Sequence, residues 1–437
     1  MKILFISSKK RFDLFTGQYL RHYADVKFAT ASPADSMFFR QNRESPLEIH
    51  KKIHEFIPSD PVDQEEYHNF LSGIGGYVTA SSPEERERIA RIFLACSRLF
   101  QHHYRNCGTD ICVVHERNFL DTAAAQHAAK QCGIRIYYFS SGFFRGKTIS
   151  VAPERILFND CEAWEKRLKN FDINAADKYK REPCNLEFHE AENIKLKKIP
   201  AWKMYITKLF QAATRNEHQI SAVLRPRKNI TSAIRNRLRK KRIRSMQPDS
   251  AKIPGKFILL PLQGNEILKE VPNPFEIRDM EHLSEIAIKA VDRMNAYYGH
   301  NYALVIKEHP LRPFIISDAF TSRYPNVIFL RKFNMDQLLN TTSLLLTFNS
   351  LAGFEALQKN KPVVTLGPLF YCLSNLVHKP ENLEELPSTM NNALNRPPDP
   401  IKLEKLITYL KTVYEVNADK KNLNSMGLYN IACKILR

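Results

Sequence analysis

Long apolar runs are what this sequence most clearly lacks. No window reaches the ~18 apolar residues that a membrane-crossing helix needs. The first apolar run, Ile3 to Ile6 in MKILFISSKKRF, is too short for the core of a secretory signal. The expectation is a chain that stays in the cytoplasm. Glycine is scarce, 14 of 437 residues, which excludes collagen-like repeats and glycine-rich linkers. No Gly-x-Gly-x-x-Gly loop is present, so the usual dinucleotide fingerprint is excluded too. The eight cysteines (Cys96, Cys107, Cys112, Cys132, Cys161, Cys184, Cys372 and Cys433) form no Cys-x-x-Cys pair and no zinc-ligand spacing with histidine. Several sit in apolar runs, so they are expected as reduced, small core residues, with no metal site. Acids are missing from one long stretch: none lies between Glu217 and Asp249.

What is present bounds the rest. A chain of 437 residues with 43% hydrophobic content can build two or three cored domains. The net charge of +19 points to an anionic partner or substrate and says nothing about fold. Apolar segments alternate with amphipathic ones. KILFISS and VKFAT read as strands, SSPEERERIARIFLACSRLF as a helix with Ser82 at its N-cap and Pro83 in its first turn, and residues 45–106 as helical in pattern. DICVVHE, NFLDTAAAQHAAKQCG and IRIYYFSSG then give strand, helix and strand, a βαβ unit with a parallel sheet. After residue 255 the pattern resumes with KFILLPLQ, MEHLSEIAIKAVDRMNAYYG, YALVIKEHP, VIFLRK, SLLLTFNS, LAGFEALQKN and KPVVTLG. The expected organisation is an α/β domain over 1–186, a basic helical insert over 187–255, a second α/β domain over 256–385 and a helical tail over 386–437.

Ligands of open α/β sheets bind beyond the carboxyl ends of the strands. In the second half those ends carry Gln263, Asn265 and Glu266, then Lys307, Glu308 and His309, then Asn349, Ser350 and Glu355, and last Gly367 and Tyr371. Ser350 or Asn349 suits a helix N-cap, and such an end also suits a phosphate. Gly353 lets a neighbour approach the first turn closely. Glu355 suits a ribose diol rather than a phosphate, because a carboxylate accepts hydrogen bonds. His309, fixed by Pro310, can donate to a phosphate oxygen. Asn-Ser pairs cap many helices; it is their company with His-Pro after an earlier strand that points to a nucleotide.

IKEHP, followed by NSLAGFEALQKNKPVVTLGPLFY, resembles the bacterial capsule polysaccharide synthesis family, with IRIYYFSSGFFRGKTISVAP and LLPLQ similar to two further signatures. The likeness spans roughly residues 110–160 and 256–375. Members of that family include retaining transferases that move Kdo, an acidic eight-carbon sugar, from CMP-Kdo. The resemblance implies a GT-B fold, two Rossmann-like domains facing a central cleft, with the nucleotide mainly on the second. It places His309 at the CMP phosphate, Asn349 and Ser350 at phosphate or sugar, Glu355 at the ribose and Gln263 at the sugar, with Lys307 as an added cation and Gly353 in the same set. No metal or other cofactor is expected; the CMP-sugar is a substrate. The family usually has glutamate where this chain has Ser140 and aspartate where it has Ile267. A retaining double displacement needs a nucleophilic carboxylate. Of the nearby acids Glu116, Glu154, Asp160 and Glu266, the candidates are Glu116 and Glu266, with His309 as the third catalytic residue. Another donor, CMP-sialic acid or a UDP-sugar, and a non-catalytic glycan- or nucleotide-binding relative stay open as alternatives. The expected acceptor is a cell-surface glycolipid or polysaccharide.

Ten Lys and Arg residues lie between 225 and 244, with Ile230, Ile234 and Leu238 recurring every four residues. This run suits docking on the anionic inner face of a membrane. A solvated basic linker or a surface for an acidic glycan is the competing expectation. No zinc-finger, RNA-recognition or stacking-aromatic pattern accompanies the run, so nucleic acid is not the expected partner.

Overall fold

The computed structural model describes residues 1–6, 10–58, 82–115, 119–153, 159–173, 184–191, 249–310, 315–419 and 423–436. The chain divides into two compact units. One comprises Met1–Arg155, Asp177–Arg227 and Lys411–Arg437; the other comprises Ile156–Ala176 and Lys228–Leu410.

The first unit is built on strands β1 (Lys2–Ile6), β2 (Asp25–Thr30), β3 (Leu47–Glu48), β4 (Ile111–His115), β5 (Arg135–Ser141), β6 (Thr148–Ala152) and β12 (Glu415–Asn417), in the spatial order β12-β6-β5-β4-β1-β2-β3. The five strands from β3 to β5 run parallel; β6 pairs antiparallel with β5, and β12 antiparallel with β6. Strand β1 shows why both faces must be covered. Ile3 and Phe5 enter one core, with Phe28, Val113, Phe139 and Ile431. Leu4 and Ile6 enter the other, with Phe93, Cys112, Val114 and Ala124. Alternate side chains point to opposite faces, so an all-apolar strand needs a helical layer on each. The layers include helices α1 (Lys10–Leu20), α2 (Pro33–Gln41), α3 (Pro83–Cys107) and α4 (Leu120–Gln131). Helix α3 has the N-terminus its sequence predicts, with the Ser82 hydroxyl accepting from the Glu85 amide at 3.2 Å; it runs past the quoted segment to Cys107, where Gly108 closes it at φ 61°, a left-handed value open to glycine at little cost.

After helix α5 (Cys161–Lys169), the second unit has a five-stranded, wholly parallel sheet. Its strands are β7 (Phe257–Pro261), β8 (Ala303–Lys307), β9 (Ile328–Leu330), β10 (Leu344–Thr347) and β11 (Val363–Thr365), in the order β11-β10-β7-β8-β9. The helices are α6 (Met280–Tyr298), α7 (Asp318–Arg323), α8 (Met335–Thr341), α9 (Leu351–Leu357), α10 (Leu386–Asn395) and α11 (Pro400–Tyr409). Helix α6 is bounded by an Asp279 N-cap and by Gly299 at φ 67°.

Three expectations are corrected. Residues 45–106 are not helical throughout: Leu47 and Glu48 pair with Ala29 and Thr30 as the edge strand β3. The tail from 386 is not simply helical. It begins with α10 and α11 in the second unit, then returns to the first as β12 and helix α12 (Ser425–Leu436). A three-residue strand gives no periodicity of its own; it exists because β6 offers an unpaired edge. Nor are all eight cysteines reduced, since Cys184 and Cys433 form a disulfide across a sequence separation of 249. The basic run 225–244, and all of the expected insert except residues at its margins, lie outside the described residues.

Candidate functional site

In the second sheet, α6 carries the chain from β7 to β8 on one side, whereas β10 lies against β7 on the other. The connections after β7 and β10 therefore diverge, and the sheet is open between their carboxyl ends, the usual place for a ligand. Gln263 follows β7 and Asn349 follows β10, and they meet there: the Asn349 amide donates to Gln263 Oε1 at 3.4 Å. Asn349 is buried, and its side-chain Oδ1 has no hydrogen-bond partner. A buried acceptor without a partner costs about 1–3 kcal/mol, and a bound group that donates to it would remove that cost.

Ser350 is the N-cap of α9. Its amide donates to Thr347 Oγ1 at 3.2 Å, and its hydroxyl oxygen accepts from the Ala352 amide at 3.2 Å. A hydroxyl that accepts in this way can still donate its own hydrogen to another group. Tyr371, one of the strand-end residues of TLGPLFY, donates its hydroxyl to the Ser350 carbonyl at 2.5 Å. The ring is wholly buried, and burial raises its pKa well above the ordinary value, so it stays a donor. This identifies the neighbour that Gly353 admits to the first turn of α9. A Cβ there would lie 2.2 Å from the Tyr371 hydroxyl oxygen and 2.6 Å from Cζ, so the close neighbour that requires glycine is the phenol. Glu355 is half-buried on α9 between buried Phe354 and Ala356.

At the end of β8 the three polar residues separate. Lys307 turns inward, and its Nζ donates to the carbonyls of Glu308 at 2.8 Å and Arg331 at 3.1 Å. Burial pulls its pKa down, with the charges of Asp249 and Glu308 opposing. Glu308 is buried as well, accepting from the Ile316 amide at 3.0 Å and lying 3.6 Å from Arg331 Nε. Both therefore tie the end of β8 to the end of β9. His309 is the half-buried member of the three.

The carboxylate candidates fare differently. Glu116 lies outside the described residues. Glu266 is exposed, just before a single helical turn, Ile267–Glu270. Ile267, at the position of the family aspartate, packs against the apolar core of the second unit. Ser140 is buried, with its hydroxyl on the Ser141 carbonyl. It pairs with Ser150, which pairs with Glu415 of β12, so the three stand in one row across adjacent strands. Glu415 is buried, accepts from the Phe143 amide at 2.5 Å and from the Ser150 hydroxyl at 3.3 Å, and has its carboxyl pKa raised by burial. No motif pointed to this residue, because its partners lie 265 or more residues away. Among the described residues, no group of three or more His, Cys, Asp or Glu is placed to hold a metal ion, and no helix is long and apolar enough to cross a membrane.

Comparison with known proteins adds the family. Among solved structures, the chain is similar to a Thermosulfurimonas dismutans KpsC beta Kdo 2,7 transferase (13% identity, 99% of this chain and 98% of that one, TM-score 0.42). It is also similar to a beta Kdo 2,4 transferase of the same organism's KpsC (17% identity, 75% and 88%, TM-score 0.39). A third likeness is to a UDP-GlcNAc 2-epimerase from Neisseria meningitidis (13% identity, 100% and 98%, TM-score 0.32). The search of curated proteins finds no match. The model of the capsule polysaccharide biosynthesis protein family matches residues 116–385. That match spans more than half of the sequence, including β5 and the strand ends that carry Gln263, His309 and Asn349, and the chain belongs to this family.

Proposed function

We propose that this protein is a glycosyltransferase that moves an acidic ulosonic sugar, Kdo, from CMP-Kdo to a glycolipid or polysaccharide acceptor. Family membership supports the reaction class. The observation that carries the site is the Gln263–Asn349 bridge at the open point of the second sheet, with the buried, unpartnered Asn349 Oδ1 beside it. A sugar or ribose hydroxyl, or the amino group of cytosine, is the kind of donor such an atom accepts. His309 donates to the leaving phosphate, the Ser350 hydroxyl adds a second donor, and Glu355 accepts from the ribose diol. Such donors act where charge develops as the glycosyl bond breaks. Glu116 and Glu266 are the candidate carboxylates. No resident cofactor is invoked.

The test is CMP release from CMP-Kdo with membrane glycolipid as acceptor, beside a thermal-shift panel of CMP-Kdo, CMP-sialic acid and UDP-sugars, since a ligand of the native state raises its melting temperature. His309→Ala is expected to lower turnover by about 10²–10³-fold; unchanged turnover removes the phosphate role. Nucleotide binding with no CMP release under any acceptor identifies a non-catalytic relative instead. Residues 225–244 are proposed to hold the protein on anionic lipid, checked by vesicle flotation with and without neutralising substitutions.

A further inference from the structure

The first sheet has a reversal of its own. Helix α1 leads from β1 to β2 on one side, and α4 leads from β4 to β5 on the other, with β1 and β4 adjacent. Asp13 lies in the first turn of α1, and His115 is the last residue of β4. Their side chains meet, His115 Nε2 to Asp13 Oδ1 at 2.5 Å, and both are almost fully buried, at 2% and 0% exposure. The rings of Phe12 and Phe139 stand edge-on to the imidazole, each with its centroid 6.0 Å away. A carboxylate only accepts, so Nε2 carries the hydrogen, and in the neutral imidazole Nδ1 then keeps its lone pair. Nδ1 is buried and has no hydrogen-bond partner among the described residues. Each sheet thus places at its point of reversal a buried side-chain atom with no hydrogen-bond partner among the described residues: Asn349 Oδ1 in the second and His115 Nδ1 in the first.

We propose that Asp13 and His115 form a proton-accepting dyad for a hydroxyl-bearing glycan acceptor that binds at the reversal of the first sheet. This rests on the glycosyltransferase reading. In the transfer step the acceptor O–H bond breaks and its proton goes to His115 Nδ1. The oxygen lone pair forms the new bond to the glycosyl carbon, whose bond to its leaving oxygen breaks with the electron pair going to that oxygen. The imidazolium is stabilised by the Asp13 carboxylate through Nε2–H, and its proton is then lost to water. An oriented imidazole backed by a buried carboxylate is suited to this work.

The decisive variant is His115→Gln, whose amide nitrogen follows Nε2 and keeps the bond to Asp13 while nothing replaces Nδ1. Turnover of CMP-Kdo with saturating glycolipid is expected to fall about 10²–10⁴-fold, with KM for the donor and the CMP-induced rise in melting temperature unchanged. Asp13→Asn is expected to lower kcat in the same way. Wild-type turnover in His115→Gln overturns the dyad and leaves a core pair. Selective ¹⁵N-histidine NMR on the unmodified protein gives a reading that needs no variant. Nδ1 of His115 is expected to be unprotonated and to shift when acceptor glycan is added; a protonated Nδ1, or no shift, also overturns the proposal. A wild-type chain that releases no CMP with any acceptor sinks the glycosyltransferase reading, and the dyad's role with it, an outcome distinct from failure of the variant alone.

Discussion

Lys307 and His309 are two positions apart and have opposite consequences. The Lys307 ammonium is held by the carbonyls of Glu308 and Arg331, and hydrogen bonds to a charged group contribute about 1.5–3 kcal/mol. Lys307→Met is therefore expected to lower the melting temperature with little change in CMP affinity, and His309→Ala to do the reverse; paired thermal melts and CMP titrations check both. His50 is a second residue-scale case. It is fully buried, neither ring nitrogen has a partner, and burial pushes its pKa down to about 4. The unfolded chain, with histidine near ~6.5, binds this proton more readily than the folded one. Stability is thus intact above that value and is lost as pH falls toward 4. Urea midpoints at pH 7 and pH 5 should separate, and His50→Phe should reduce the gap. The strand ends were readable in sequence because apolar runs stop at them. Which end residues face a ligand was not, since IKEHP looks the same whether Lys307 turns inward or outward. Gly353 shows the same limit: the glycine announces a close neighbour, but only the fold identifies it as Tyr371.

At the scale of elements, helices such as α3 and α6 were legible from one cap each, Ser82 for α3 and Gly299 for α6, and the structure adds the other caps, Gly108 and Asp279. Strands β3 and β12 were not, since each is two or three residues long and is defined by a neighbour's free edge. Strand β12 also brings Glu415 to the turn after β5, where its carboxylate accepts the Phe143 amide. Glu415→Ala leaves that buried N–H unpaired, which costs about 1–3 kcal/mol. Glu415→Gln keeps an acceptor and is expected to lose less. Chemical denaturation of the two variants measures the difference, and equal losses would mean that the bond to Phe143 contributes nothing.

At the scale of the whole molecule, the Cys184–Cys433 disulfide closes a loop with a sequence separation of 249. Cross-links across long loops constrain the unfolded chain and typically contribute about 2–4 kcal/mol. Reduction, or Cys184→Ser with Cys433→Ser, is expected to lower the stability of the first unit by that order, read as a fall in the denaturation midpoint against the oxidised protein. Cysteine spacing could not predict the bond, because no local motif joins positions so far apart. The α/β class and the alternation of strand and helix were open to reading from apolar periodicity. The return of the chain to the first unit was not, because it depends on an edge made more than 260 residues earlier.

That return has a consequence for synthesis on the ribosome. Strand β6 ends at Ala152, and β12, which pairs with it, begins at Glu415. At about 5–20 residues per second, the second unit is made entirely while β6 still exposes an unpaired edge, a surface prone to wrong pairing. The nascent chain thus passes through a stage in which the later unit can be complete while the earlier one is unfinished, and a chaperone that shields the β6 edge would act in that interval.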